Sequence, residues 1–115
     1  MFYLCKKDTE MNRSRIVQAL KTTVQKTNPF ATVILYGSEA RGDTHADSDI
    51  DLLILVDKEH LSYKDKIAIT YPLYDIELKY GVSISPLVYT KKEWNSRPFK
   101  TPFYVNVMNE GIVLN

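Results

Sequence analysis

The sequence predicts an α/β (α+β) domain, a small mixed β-sheet flanked by helices. Three observations carry that expectation. Two short apolar runs rich in β-branched residues, ATVILY (31–36) and DIDLLILV (49–56), have the length and composition of buried strands. Stretches before and after them repeat apolar residues at helical spacing. Gly and Pro then divide the chain into the order helix, strand, strand, helix, strand, helices, which calls for a layered domain.

The first helix is predicted from Asn12 or Ser14, either of which can cap it, to about Lys26. Ile16, Val17, Leu20 and Val24 form its apolar face, and Asn28-Pro29 ends the pattern. The strand 31–36 runs into Gly37, and SEARGDTHADS follows as a polar loop with a helical turn around Glu39–Arg41. The strand 49–56 opens on acids and continues apolar. From Ser62 to Tyr80 the spacing is helical, with Ile67, Ile69, Tyr74, Ile76 and Leu78 among the apolar positions. Pro72 should kink or split this helix and Gly81 should stop it. VSISPLVY (82–89) reads as a third strand whose Pro86 suits a sheet edge or bulge. Thr90 with Glu93 makes a capping box for a short helix holding Trp94. Thr101-Pro102 opens a last helix, Gly111 closes it, and Ile112–Leu114 can form a final short strand.

At 115 residues the chain has the size of one domain, expected over 12–115 behind a loose leader at 1–11. A net charge of +1, with Lys and Arg scattered, gives no basic face for non-specific nucleic-acid binding. The single cysteine, Cys5, supports neither an internal disulfide nor a metal cluster, which fits a reducing, cytoplasmic setting. No apolar stretch has the length of a signal peptide or a membrane span, so no membrane partner is expected.

The chemistry concentrates in GSEARGDTHADSDIDL, residues 37–52. Side chains two apart on a strand share a face, roughly 6.6 Å apart along it. Asp49 and Asp51 held that way repel each other at the mouth of an apolar strand, an arrangement that a shared cation would stabilise. Mg²⁺ suits it, since that ion is commonly shared between one or two carboxylates and substrate phosphates. Gly37-Ser38 follows the preceding strand directly; its amides and the Ser38 hydroxyl can form an anion-binding concavity. Arg41 can add a planar fork to phosphate oxygens. A phosphate cradle at one strand end and a metal pair at the next make a triphosphate site. Taken singly, an acidic strand start is more often solvated surface and Gly-Ser more often a turn. The run Asp47, Asp49, Asp51 is not an EF-hand loop, which needs Gly and Glu where Leu52 and Lys58 stand. Nor is GSEARG a Walker loop, because it lacks the Gly-Lys-Ser/Thr ending.

Gly37-Ser38, ten residues, then Asp49-Ile50-Asp51 resembles the signature of the DNA-polymerase-β-like nucleotidyltransferase superfamily. With Ala40, Arg41, Gly42, Ser48 and Leu52 in place, it is similar to the minimal nucleotidyltransferase (MNT) branch. The resemblance is strong over 31–56 and looser through Leu114. It implies a three- or four-stranded mixed sheet, with the triphosphate held at Gly37 and Ser38 and divalent metal, Mg²⁺ or Mn²⁺, at Asp49 and Asp51. It also implies transfer of a nucleoside monophosphate, AMP from ATP, to a hydroxyl acceptor with release of pyrophosphate. Small members pair with a HEPN-domain partner as the antitoxin of a toxin–antitoxin system, some adding AMP to a tyrosine of the toxin. Active members carry a third carboxylate on a later strand. Here that strand is 82–89, where the polar positions are Ser83 and Ser85, and Ser83 is taken as the replacement.

Three functions compete on this basis. One is a transferase acting on a protein or RNA, with nucleic acid entering only as an acceptor. Another is a degenerate module that binds nucleotide or a HEPN-type partner without turnover. The third is a small-molecule transferase, which would need an acceptor-holding helical domain for which 115 residues leave no room. The acceptor surface then belongs to a partner or a second copy. His45 and His60 read as solvated. Trp94, with Phe99 and Phe103, could stack an adenine, but core or lid packing is the stronger reading, and Tyr71, Tyr74, Tyr80 and Tyr89 read as core edge.

Overall fold

The computed structural model describes residues 6–42, 49–96 and 100–114; for residues 6–12, Ser38 and Glu39 it describes the backbone alone. Helix α1 (Lys6–Thr27) leads into β1 (Thr32–Tyr36), the single turn α2 (Ser38–Arg41) and β2 (Ile50–Val56). Helices α3 (Tyr63–Thr70) and α4 (Leu73–Tyr80) then carry the chain to β3 (Ile84–Thr90). It ends in α5 (Lys91–Asn95), α6 (Pro102–Glu110) and β4 (Ile112–Leu114). The sheet order is β3-β2-β1-β4, with β1 antiparallel to both neighbours and β2 parallel to β3. The predicted mixed sheet flanked by helices is what forms.

Alternation along the strands sorts the core into two layers. Val33, Leu35, Leu52, Ile54 and Val56 face α1, α3 and α4, where Ile16, Leu20, Val24, Ile69, Leu73 and Ile76 meet them. Ile34, Leu53 and Leu55 face the other way, onto Trp94 of α5 and Val107 of α6. β2 is buried on both faces, which is why its sequence is continuously apolar rather than alternating.

Local chemistry sets most element ends as expected. Ser62 and Asp65 form a capping box on α3, and Thr90 and Glu93 form one on α5. Thr101 caps α6 with Pro102 at its first turn. Tyr71-Pro72 separates α3 from α4, and Gly81 ends α4 at φ 65°. β3, with Pro86, is an edge strand.

Two expectations are corrected. Helix α1 begins at Lys6, so Asn12 and Ser14, expected at its start, lie inside the helix. Its first residues, KKDTEM, include strong helix formers and continue the helix beyond the apolar stripe. The stripe that α3 and α4 bury is Ile69, Leu73 and Ile76. Ile67, Tyr71, Tyr74 and Leu78 fall on the opposite side and are exposed, with Leu78 at 83%. Tyr80 is exposed too; of the four tyrosines read as core edge, Tyr89 alone fits, packed on Trp94. Among the described residues no helix is long and apolar enough to cross a membrane.

Candidate active site

The site lies where the C-terminal end of β1 meets the N-terminal end of β2, on the α6 side of the sheet. β1 delivers Tyr36 directly opposite Asp51 in the antiparallel register. Gly37 then turns the chain at φ 71° into α2, where the Arg41 amide donates to the Gly37 carbonyl at 3.1 Å. A positive φ favours glycine, and here a side chain would also have to displace the Asp51 carboxylate. A Cβ on Gly37 would collide with Asp51 Oδ2 and stand 3.3 Å from its Cγ. The missing side chain is what allows the Asp51 carboxylate to lie against the turn.

Asp49 is exposed immediately before β2, and Asp51 is half-buried one step inside the strand. Burial is the larger cause that raises the Asp51 carboxyl above its ordinary 3.8, the charge of Asp49 adds to it, and Arg41 partly offsets both. The acids therefore share a field, with a guanidinium in reach of it. Burial also pushes the neighbouring Tyr36 phenol up to about 12, with Asp51 and then Tyr89 adding to the shift. The phenol stays protonated at physiological pH.

The donor set fits a hard divalent cation. Two juxtaposed carboxylates, one of them partly desolvated, are stabilised by a positive ion between them, and oxygen ligands are what Mg²⁺ prefers. Among the described residues no third His, Cys, Asp or Glu joins the pair. The parallel register brings Ser85 level with Asp51, and Ser83 stands one step before the ladder, beside Asp49. The Ser83 carbonyl accepts from the Ile50 amide at 2.9 Å. The position beside the inner acid is thus Ser85 rather than Ser83. Asp75 and Glu77 belong to α4 on the other layer, where Glu77 Oε1 accepts from the Ile84 amide at 2.7 Å.

The other predicted residues divide as follows. Gly37, Asp49, Asp51 and Arg41 are brought together. Ser38 is the first residue of α2, one step from Gly37. Trp94 is 1% exposed in an aromatic cluster with Tyr89, Phe103 and Tyr104, so it is core. His60 is exposed, and His45, Asp47 and Phe99 lie outside the described residues. Glu110 on α6, which the sequence did not single out, meets Arg41 at 3.3 Å. A cleft of about 140 Å³ opens beside that pair, between the end of β1 and α6. Phe103, Asn106, Val107 and Glu110 line it at the i, i+3, i+4, i+7 spacing of one helix face. That stripe is visible in the sequence, but only the packing shows what it faces.

Comparison with known proteins agrees with this arrangement. The family model for "Polymerase beta, Nucleotidyltransferase" matches residues 18–114. Two relatives from Methanocaldococcus jannaschii each carry the name "putative protein adenylyltransferase". One is 44% identical over 80 residues, 70% of this chain and 74% of the relative. The other is 39% identical over 98 residues, 85% of this chain and 89% of the relative. A solved structure described as a "toxin-antitoxin with AMP-PNP" superposes with a TM-score of 0.55 at 17% identity, over 84% of this chain and 70% of that one, which shows a shared fold. Glycine turn, acid pair, mixed sheet and family match converge: the chain belongs to the polymerase-β nucleotidyltransferase family, as a minimal nucleotidyltransferase domain.

Proposed function

We propose that this chain is a Mg²⁺-dependent adenylyltransferase that moves AMP from ATP onto a hydroxyl of a protein or RNA acceptor, acting in the cytoplasm. One observation carries the proposal. The half-buried Asp51, with its carboxyl raised by burial and by Asp49, lies against a glycine turn at positive φ where a Cβ would collide with it, with Arg41 beside it. The names of the two archaeal relatives support protein as the acceptor and adenylyl as the group transferred.

Asp49 and Asp51 would hold Mg²⁺ or Mn²⁺, which when bound neutralises the pair and stabilises charge developing on the phosphates. The chain's own residues do the rest. Gly37 lets the triphosphate approach the backbone, Ser38 is assigned to the same phosphates, and Arg41 supplies the cation at their far side. The acceptor oxygen bonds to the α-phosphorus as the bond to the pyrophosphate oxygen breaks, and the acceptor proton leaves to solvent or to a base. Ser83 and Ser85 cannot serve as that base near neutral pH. A HEPN-type partner, in a toxin–antitoxin pair, or a second copy of this chain would supply the acceptor surface.

The serines at the later strand favour a second reading, a module that binds nucleotide or partner without turnover. Incubation with α-labelled ATP and Mg²⁺, with and without a HEPN-type protein offered as the acceptor, separates the readings. Transfer predicts label on the partner, pyrophosphate release, and loss of both in Asp51→Asn. Thermal stabilisation by Mg²⁺–ATP without incorporation supports the binding module, and neither response overturns both.

A further inference from the structure

We propose that the outer face of α3 and α4 is a self-association surface, on which a second copy of this chain docks antiparallel about a two-fold axis. Tyr63, Ile67, Tyr71, Tyr74 and Leu78 stand on that face, 41–83% exposed. Single apolar residues are ordinary on a surface, but an aligned row of five marks an interaction site. Their steps of four, four, three and four residues are those of a helix seam that packs on another helix. Pro72 does not break the row. Tyr71 and Pro72 both keep right-handed helical backbone, and the Tyr74 amide donates to the Tyr71 carbonyl at 3.1 Å. At 1.5 Å per residue the seam runs roughly 22 Å. Tyr71 and Tyr74 meet edge to face at 6.1 Å near its middle.

The charges beside the seam choose the occupant and its direction. Lys64 and Asp75 are exposed and eleven residues apart, close to three helical turns, so they share one flank of the row. Among the described residues neither makes an ion pair within the chain. In a parallel pair of copies each would meet its own like, Lys64 against Lys64 and Asp75 against Asp75. Reversing one copy sets Lys64 of each against Asp75 of the other, twice over, because a two-fold axis repeats every contact. A lipid surface fits less well. From Tyr63 to Tyr80 there are three lysines and three acids, which leaves no basic flank for anionic headgroups. The glycine turn and α6 lie on the other side of the sheet, so docking here leaves the nucleotide site open and requires nothing of it.

The test is sedimentation velocity on the whole chain, from micromolar to millimolar concentration. Wild type should pass from monomer to dimer as concentration rises. Leu78→Asp and Tyr71→Asp, each at an exposed position, should raise the dissociation constant about tenfold or more. Lys64→Asp should weaken the dimer about threefold to tenfold, since two attractive pairs become repulsive. Adding Asp75→Lys to Lys64→Asp should restore it, a rescue that only an antiparallel second copy gives. Circular dichroism checks that each variant is folded, and the charge swap keeps the proposal testable if an apolar variant is not. A wild type that stays monomeric, including one that is captured through this face by a HEPN-type protein alone, would overturn the proposal. So would a dimer indifferent to Leu78→Asp and Tyr71→Asp, or one that the charge swap does not restore. None of these outcomes alters labelling by α-labelled ATP, so the transferase reading stands or falls separately.

Discussion

Replacing Asp51 with Asn should stabilise the empty protein and abolish its response to nucleotide. The Asp51 carboxyl is raised above its ordinary 3.8, first by burial and then by Asp49. A folded value above the unfolded one means that ionisation opposes folding. The acid's contribution is fully favourable below about pH 3.8 and is lost as pH rises through the raised value. At pH 7 the native state therefore carries the cost. Two unit charges roughly 6.6 Å apart interact by roughly 0.6 kcal/mol at the dielectric of water and roughly 2.5 kcal/mol at an effective value of 20. Because Asp49 is exposed, the lower part of that range applies, about 0.5–1 kcal/mol. Asp51→Asn should raise the melting temperature of the metal-free protein by about 2–6 °C at pH 7 and low salt, with the gain fading toward pH 3.8. Mg²⁺–ATP at a hundred times its Kd should add about 2.7 kcal/mol to wild type and nothing to the variant, so the two melting curves exchange order. Differential scanning fluorimetry over a pH series reads both effects. A variant less stable than wild type when empty, and still stabilised by Mg²⁺–ATP, would refute the reasoning.

Three further outcomes test the surrounding residues. Gly37→Ala meets a positive φ and the Asp51 carboxylate together, so urea denaturation should show a loss of about 1–3 kcal/mol, with Mg²⁺–ATP binding lost as well. An alanine variant of normal stability and affinity would contradict the close approach. Glu110→Gln releases Arg41 from an exposed pair, so stability should change by less than about 0.5 kcal/mol. Tripolyphosphate affinity should rise severalfold, more at low salt, and no rise would show that Arg41 does not reach phosphate. A positioned base contributes about 10²–10⁴-fold to such transfers. Ser85→Asp, level with Asp51, should raise Mg²⁺-dependent labelling more than Ser83→Asp; the reverse order would place the third carboxylate one step earlier on the chain.

Much of this molecule is legible in one dimension because its rules are local. Ser62, Thr90 and Thr101 cap helices through neighbours three residues away, Pro72 splits a helix by its own ring, and Gly81 stops one by its own φ. Asp49 and Asp51 lie two apart on an extended segment, so their mutual repulsion, and the cation it calls for, also follow from spacing. Other features needed the fold, since they depend on elements distant in sequence meeting in space. Which side of α3 and α4 is buried was undecided while both sides carried apolar residues; packing against α1 chose Ile69, Leu73 and Ile76 and left Tyr71, Tyr74 and Leu78 outside. The choice between Ser83 and Ser85 turned on a register that the parallel pairing of β2 with β3 sets. Arg41 and Glu110 are 69 residues apart, and no local pattern links them. They meet because Val107 packs beneath the sheet with Ile34 and Leu53, burial that brings the rest of that α6 face, Phe103, Asn106 and Glu110, to the edge of the glycine turn.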